Sequence, residues 1–231
     1  ISAARRLQLL EILSIETGWV RRAENDAIRP VATAILEWLH ADPWAQWSVL
    51  AQAWTTSEAY NDVTFVPSLT PDPVNQWPNE PQRTRQTFLA AIKRCDPDAW
   101  YDISAFVQYV KETATDFLRP DGNYDAWAPR DATSANPLRG YDAWEAVEGA
   151  LITDMLCGTM AWLGLVDLGQ ETPDASPMAF KLTGTGAALL GGSPPPSFPL
   201  PDHLQLNDQG EILAPARRRY ERFQLSRIAE A

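Results

Sequence analysis

The sequence predicts a mainly α fold built from tandem winged-helix-like units, the first incomplete, with short β-hairpin wings. Three observations predict it. Between Trp144 and Leu190 the order helix, glycine, strand, wing, strand, helix is spelled out as WEAVEGALITDMLCGTMAWLG, LVDLG, QETPDASPM, AFKL and TGTGAALL. A shorter version of that order ends its helix at Gly18 and passes through Trp19-Val20, a polar turn and Ile28-Arg29-Pro30 into another helix. Between the two, apolar stripes at helical spacing recur along the chain.

The elements follow in order. Leu7, Leu10, Ile12, Leu13 and Ile15 keep a helical period that Gly18 ends. Trp19-Val20 and Ala27–Arg29 read as short strands around a polar turn, and Pro30 is placed in the first turn of a helix reaching His40. Ala34, Ile35, Trp38 and Leu39 share one face of it, and after Asp42-Pro43 a second stripe holds Trp47, Leu50, Ala51 and Trp54. Residues 66–82, rich in Pro, Asn, Asp and Ser, read as a linker or an irregular covering loop. A helix from Arg83 to Lys93 stops before Asp96-Pro97. Asp102 then caps a helix carrying Phe106, Val107, Val110 and Phe117. Asp121–Tyr141 is a long Gly/Asn/Pro-rich insertion or flexible region. GGSPPPSFPLP is a Pro-rich spacer, HLQLNDQGEILAPA a pair of short strands around a glycine turn, and Arg217 opens a last helix. The expected division is a partial winged-helix unit with a helical extension (1–65), a linker (66–82), a winged-helix domain (83–190), a Pro-rich linker (191–201) and the start of a further domain (202–231).

Composition limits the function classes. Forty-five per cent apolar residues and ten Trp in 231 residues are enough for a sizeable core. A net charge of −11 disfavours any activity that needs a broad cationic surface. Cys95 and Cys157 stand alone and read as reduced thiols of a cytoplasmic protein. No apolar run is long enough for a membrane span and no signal peptide is visible. The chain starts at Ile, and its ends read as those of a fragment.

Candidate binding residues are all arginines. Arg5, Arg6, Arg21, Arg22 and Arg29 surround the first glycine turn and offer a phosphate-contacting face, against the plainer reading of solvated arginines offset by Glu11, Glu16, Glu24 and Asp26. Arg217, Arg218 and Arg219, with Arg222 and Arg227, form the densest basic cluster, suited to phosphate, to an acidic partner, or simply to a solvated helix start. The helix that would enter a DNA groove carries Glu145, Glu148 and Asp154 and no Lys or Arg. Trp38, Trp47, Trp54, Trp144 and Trp162 sit on helical stripes and belong in a core, whereas the loop residues Trp77 and Trp127 are the candidates for a contact surface. His40 and His203 have no metal-like or nucleophile-like companion, and TGTG at 183–186 lacks the lysine of a phosphate loop, leaving Thr183 as a helix cap. No catalytic residue, metal or cofactor is expected, and no spacing singles out a carboxylate pair.

Several phrases together resemble a known family. IRPVATAILEWL with QWSVLAQAW, WYDISAFVQYV with DFLRP, WEAVEGALITDML with AWLGLVDLG, FKLTGTGAALL, and the tail LQLNDQGEILAP with RFQLSRIAEA are similar to bacterial proteins with helicase-associated, XPB-like domains. In those proteins winged-helix units precede a domain that opens with such a strand pair, so the resemblance makes residues 202–231 the start of an XPB-like domain. It implies the fold and a DNA-repair or transcription setting. It carries no catalytic or binding residue onto this chain, which has no helicase motor motif. The expected function is a non-catalytic interaction or scaffold module contacting a protein partner or a neighbouring domain of its own chain. DNA binding through the arginine-bearing wings is the alternative. Neither a membrane nor a small-molecule substrate is expected.

Overall fold

Arg5, Leu9 and Leu13 recur every four residues, so in the computed structural model the helix α1 (Ala3–Glu16) turns one buried stripe inward. The structure describes residues 3–24, 26–119, 121–191, 203–215 and 218–227. They fall into two units, Ile1–Pro194 and Pro195–Ala231. α1 ends in a Schellman turn. Gly18 takes φ +73°, its amide bonds to the Ile15 carbonyl, and the Trp19 amide bonds to that of Ser14. The hairpin of β1 (Val20–Arg22) and β2 (Ile28–Pro30) follows, then α2 (Ala32–His40) and α3 (Pro43–Thr56). Pro30 is therefore the last strand residue rather than part of the helix, which begins only after Val31. Asp42 caps α3 by accepting from the Ala45 amide, and Pro43 fits the first turn because its missing N–H would have been unpaired there.

The middle of the chain wraps the long helix that follows it. A 3₁₀ turn (Asp62–Phe65) leads to β3 (Leu69–Thr70), α4 (Pro81–Ile92), β4 (Tyr101–Asp102), α5 (Ile103–Thr113) and β5 (Arg130–Asp131). Residues 66–82, read as a linker between domains, lie within the first unit and are held in place. Val66 and Leu69 are buried, β3 pairs with β5, and the Asp72 carboxylate accepts from the amides of Val74, Asn75 and Ala128. The same contacts order the 121–141 insertion. Asp102 caps α5 as its position implies.

Residues 145–160 run as one helix, with α6 (Ala150–Met155) between the π-helical turns Glu145–Gly149 and Leu156–Met160. β6 (Val166–Gly169), β7 (Ala179–Leu182) and α7 (Gly184–Gly191) complete the first unit, and its three-stranded sheet has the order β4-β7-β6. The fold is mainly helical with small antiparallel sheets.

The internal repeat expected from sequence is present bond by bond. Gly164 takes φ +67°, its amide bonds to the Ala161 carbonyl, and the Leu165 amide bonds to that of Met160, as at Gly18. Val20 lies opposite Pro30, and Val166 opposite Leu182. Each hairpin is closed by an amide one residue past its returning strand, Val31 to Trp19 and Thr183 to Leu165.

The second unit pairs β8 (Gln205–Leu206) with β9 (Ile212–Leu213) around Gly210 at φ +81°, and α8 (Arg219–Leu225) follows. The Pro-rich stretch 191–201 lies outside the described residues from 192 onward.

Three buried ion pairs join segments that are distant in sequence. Arg5 grips Asp154 through both guanidinium ends at 2.8 and 2.5 Å. Arg85 meets Asp62 at 2.7 Å, where Asp62 also accepts from the Trp54 indole. Arg119 lies 2.8 Å from Glu148. Removing one member leaves the other charge buried alone, which costs about 3–5 kcal/mol. Arg85→Ala is therefore expected to lower urea-unfolding stability by that amount, while Arg83→Ala, at an exposed pair, changes it by less than about 0.5 kcal/mol. Burial pushes the Glu148 carboxyl from 4.5 up to about 7, despite the opposing pull of Arg119. Folding thus favours the protonated form, and this contribution is complete below pH 4.5 and is lost as pH rises through 7. A stability profile from pH 5 to 8 should fall more steeply for the parent chain than for Glu148→Gln, whatever constant offset the substitution adds.

Candidate functional site

The long helix is the natural place to look for a site, and it is mostly interior. Of residues 145–160 only Glu145 and Ala146 are exposed. Leu151, Ile152, Met155, Leu156 and Met160 have no exposed surface. What remains accessible is a groove of roughly 600 Å³ between α5 and the helix, bordered by Val66-Pro67-Ser68 and by Ser176-Pro177. Ile103, Val107 and Ala150 give it apolar walls, and Gln108, Glu145 and Asp154 add polar groups. No Lys, Arg or His lines it.

The two groove carboxylates do not form a catalytic pair. Glu145 and Asp154 are nine positions apart on one helix, roughly 12–14 Å at about 1.5 Å per residue, beyond the ~5–9.5 Å that paired acid and base groups need. Each is also committed to a neighbour. Hydrogen bonds from Gln108 and Lys111 hold the Glu145 carboxyl below its ordinary range. Burial raises that of Asp154 although Arg5 opposes it. Glu148, the most perturbed carboxylate, is sealed in the core and does not line the groove.

The expected arginine face is divided. Arg5 is buried against Asp154, with Phe65 and Trp162 rings 5.0 and 5.8 Å from its guanidinium carbon, so it serves the core and cannot reach phosphate. Arg6 is exposed and lies 4.8 Å over Trp162. Arg22 is held by Glu11 and, at 3.1 Å, by Asp26. Arg21 and Arg29 are exposed cross-strand partners, and neither has an ion-pair partner among the described residues. The repeat makes this pair conspicuous. At the same register the second hairpin sets Asp167 opposite Lys181, an opposite-charge pair at 3.8 Å. Arg218 pairs with Glu221 at 3.1 Å. Arg217 lies outside the described residues. Arg219 opens α8, and its side chain is likewise outside them.

Other candidate residues resolve into packing. Trp127 is buried and meets Trp77 edge-on at 6.1 Å, so this loop pair covers the core and Trp127 is no contact surface. Trp54 and Trp144 are fully buried, as their stripes require. Thr183 caps α7 by accepting from the Gly186 amide at 2.9 Å. A Cβ at Gly186 would come within 2.2 Å of the Leu165 carbonyl oxygen, which explains the glycine without any phosphate. Burial lifts both Cys95 and Cys157 to about 11, leaving them poor nucleophiles. Among the described residues no group of three His, Cys, Asp or Glu is placed to hold a metal ion, and no helix is long and apolar enough to cross a membrane. Sequence reasoning missed the structural roles of Arg85 and Arg119, since an arginine inside a helix or loop looks solvated until its acid is located.

Like charges directly opposite on a hairpin are destabilising, and an opposite-charge pair there contributes roughly 0.2–1 kcal/mol. Arg21→Asp, which recreates the Asp–Lys arrangement of the second hairpin, should raise unfolding stability by that amount in low salt. No protein-family model, no curated protein and no solved structure matches this chain.

Proposed function

We propose that the chain is a non-catalytic winged-helix module, an interaction or scaffold part of a helicase-associated-type protein in a DNA-repair or transcription setting. The order α4, β4, α5, long helix, β6, β7 with sheet order β4-β7-β6 supports a complete winged-helix unit, and α1 with its hairpin supports a partial one. The setting rests on the resemblance of the quoted sequence phrases alone. Protein contact is preferred to DNA contact on one observation. The helix that would enter a groove is core, and the groove along its flank is lined by carboxylates with no Lys, Arg or His. The cations beside those carboxylates, Lys111 and Arg5, are already bound to them, so a phosphate backbone approaching there has little positive charge to meet.

One feature favours the second reading, DNA contact through a wing. Arg21 and Arg29 stand side by side, exposed and unpaired among the described residues, where the second hairpin is neutral. Two guanidinium groups supply little of the charge that duplex binding needs.

Fluorescence anisotropy with a labelled duplex separates the readings. At physiological salt, half-saturation weaker than about 100 μM is expected. Tighter binding that falls steeply with salt and disappears in Arg21→Glu/Arg29→Glu would overturn protein contact as the primary role.

A further inference from the structure

The first copy of the repeat can be read against the second, which shows what normally covers its surfaces. In the second copy β4 lies on the outer edge of β7, Tyr101 opposite Phe180 and Asp102 opposite Ala179. α5 continues from that strand onto the long helix, where Val107 sits 3.2 Å from the place of a Cβ on Gly149. Phe180 and Leu156, which match Ile28 and Leu10 when Gly164 is set on Gly18, are both 0% exposed.

The first copy has the same frame without that cover. β1 and β2 form a two-stranded sheet, with no third strand on β2 among the described residues. Ile28, at the position of Phe180, is 46% exposed. On α1, Leu7 is 68% and Leu10 50% exposed, three residues apart on one face. The Ala27 carbonyl accepts from Ala23, and the Val31 amide donates to Trp19, both toward β1. Alternation along the strand therefore turns the amide and carbonyl of Ile28 outward, as Phe180 turns its own toward Tyr101.

We infer that α1 and the outer edge of β2 form an interaction surface for a polypeptide segment that adds one short strand beside Ile28 and lays the apolar face of a helix over Leu7 and Leu10. The occupant has the form of β4 followed by α5, the segment that lies on the equivalent strand edge of the second copy, which shares the same hydrogen-bond frame. Main-chain pairing gives such a contact its register, and the apolar helix face gives it selectivity. Pro30 offers no N–H at the end of the edge, which limits the added strand to about the two-residue length of β4 and disfavours open-ended pairing with a second copy. The inference rests on the protein-contact reading.

The test uses the full chain as bait for a phage-displayed library of random peptides of about 16 residues, long enough for a strand and a short helix. Enriched peptides are then measured by fluorescence polarisation against the parent chain, Leu10→Glu, Ile28→Asp and, as an off-site control, Leu36→Glu. All three substituted positions carry exposed side chains, and circular dichroism verifies that each variant folds. The expected result is a set of peptides with alternating apolar residues leading into a helical period. Their affinity should fall about tenfold or more in Leu10→Glu and Ile28→Asp and hold in Leu36→Glu. Peptides insensitive to both substitutions, or no enrichment, would overturn the proposal. So would a dimer in sedimentation velocity that Leu10→Glu dissociates, since the occupant would then be a second copy. Failure here with no duplex binding removes this surface alone, whereas tight duplex binding removes the protein-contact reading beneath it.

Discussion

Tyr60 is the point through which the first unit is held together. Its hydroxyl lies 3.3 Å from Arg5 Nε and 3.4 Å from the Thr159 hydroxyl, and its carbonyl accepts from Arg85 at 2.6 Å. Through these bonds the Arg5–Asp154 and Arg85–Asp62 pairs become one buried polar chain reaching from α1 to the long helix and from α4 to Trp54 of α3. Burial raises the Tyr60 hydroxyl further out of its titration range, so it remains a neutral donor and acceptor at any physiological pH. Replacing such pairs by apolar side chains is often neutral in stability. Their specific effect is register: each carboxylate accepts one arginine in one place, and α1 cannot slide along the long helix without stranding a charge.

That constraint bears directly on function. Because α1 is locked to the long helix, the faces that carry Arg5 and Asp154 are spent on internal contacts. The acidic balance of the chain and its interior helix are two sides of one arrangement. Arginines from distant segments offset part of the cost of burying the carboxylates at 148 and 154. Outside, the exposed cations among the described residues, such as Arg6, Arg21, Arg83, Lys93, Arg94 and Arg139, lie on several separate segments.

Much of this was legible in the sequence, for reasons that can be stated. Gly18 and Gly164 mark helix ends because only glycine takes a left-handed corner without cost. Asp102 and Thr183 announce caps by side-chain chemistry that depends on neighbours alone. Local signals of this sort survive without tertiary knowledge. The arginines show the opposite case. Arg5 and Arg21 look alike in sequence, yet one is core and the other solvated, and the difference lies in Asp154, 149 positions away. The segment 66–82, which the sequence leaves open between linker and covering loop, shows the same cause. Its Pro and Asn content is that of a loop, and only the pairing of β3 with β5 and the grip of Asp72 on Ala128 make it structural. The winged-helix reading remains a proposal that rests on element order and sheet order rather than on any residue's chemistry.

The paired corners at Gly18 and Gly164 also separate what is fixed in these hairpins from what is free. Each corner sets the helix exit, the first cross-strand pair and the closing bond, and all three match in the two copies. The tips do not match in length: the last cross-strand pair is Arg22–Ile28 in one and Gly169–Ala179 in the other, so the second tip is the longer. Tip length is therefore decoupled from core geometry, and the corner acts as a socket into which loops of different reach can be fitted. Variation between such modules is free to accumulate at the tips, where it can diversify what is touched without renegotiating how the chain folds.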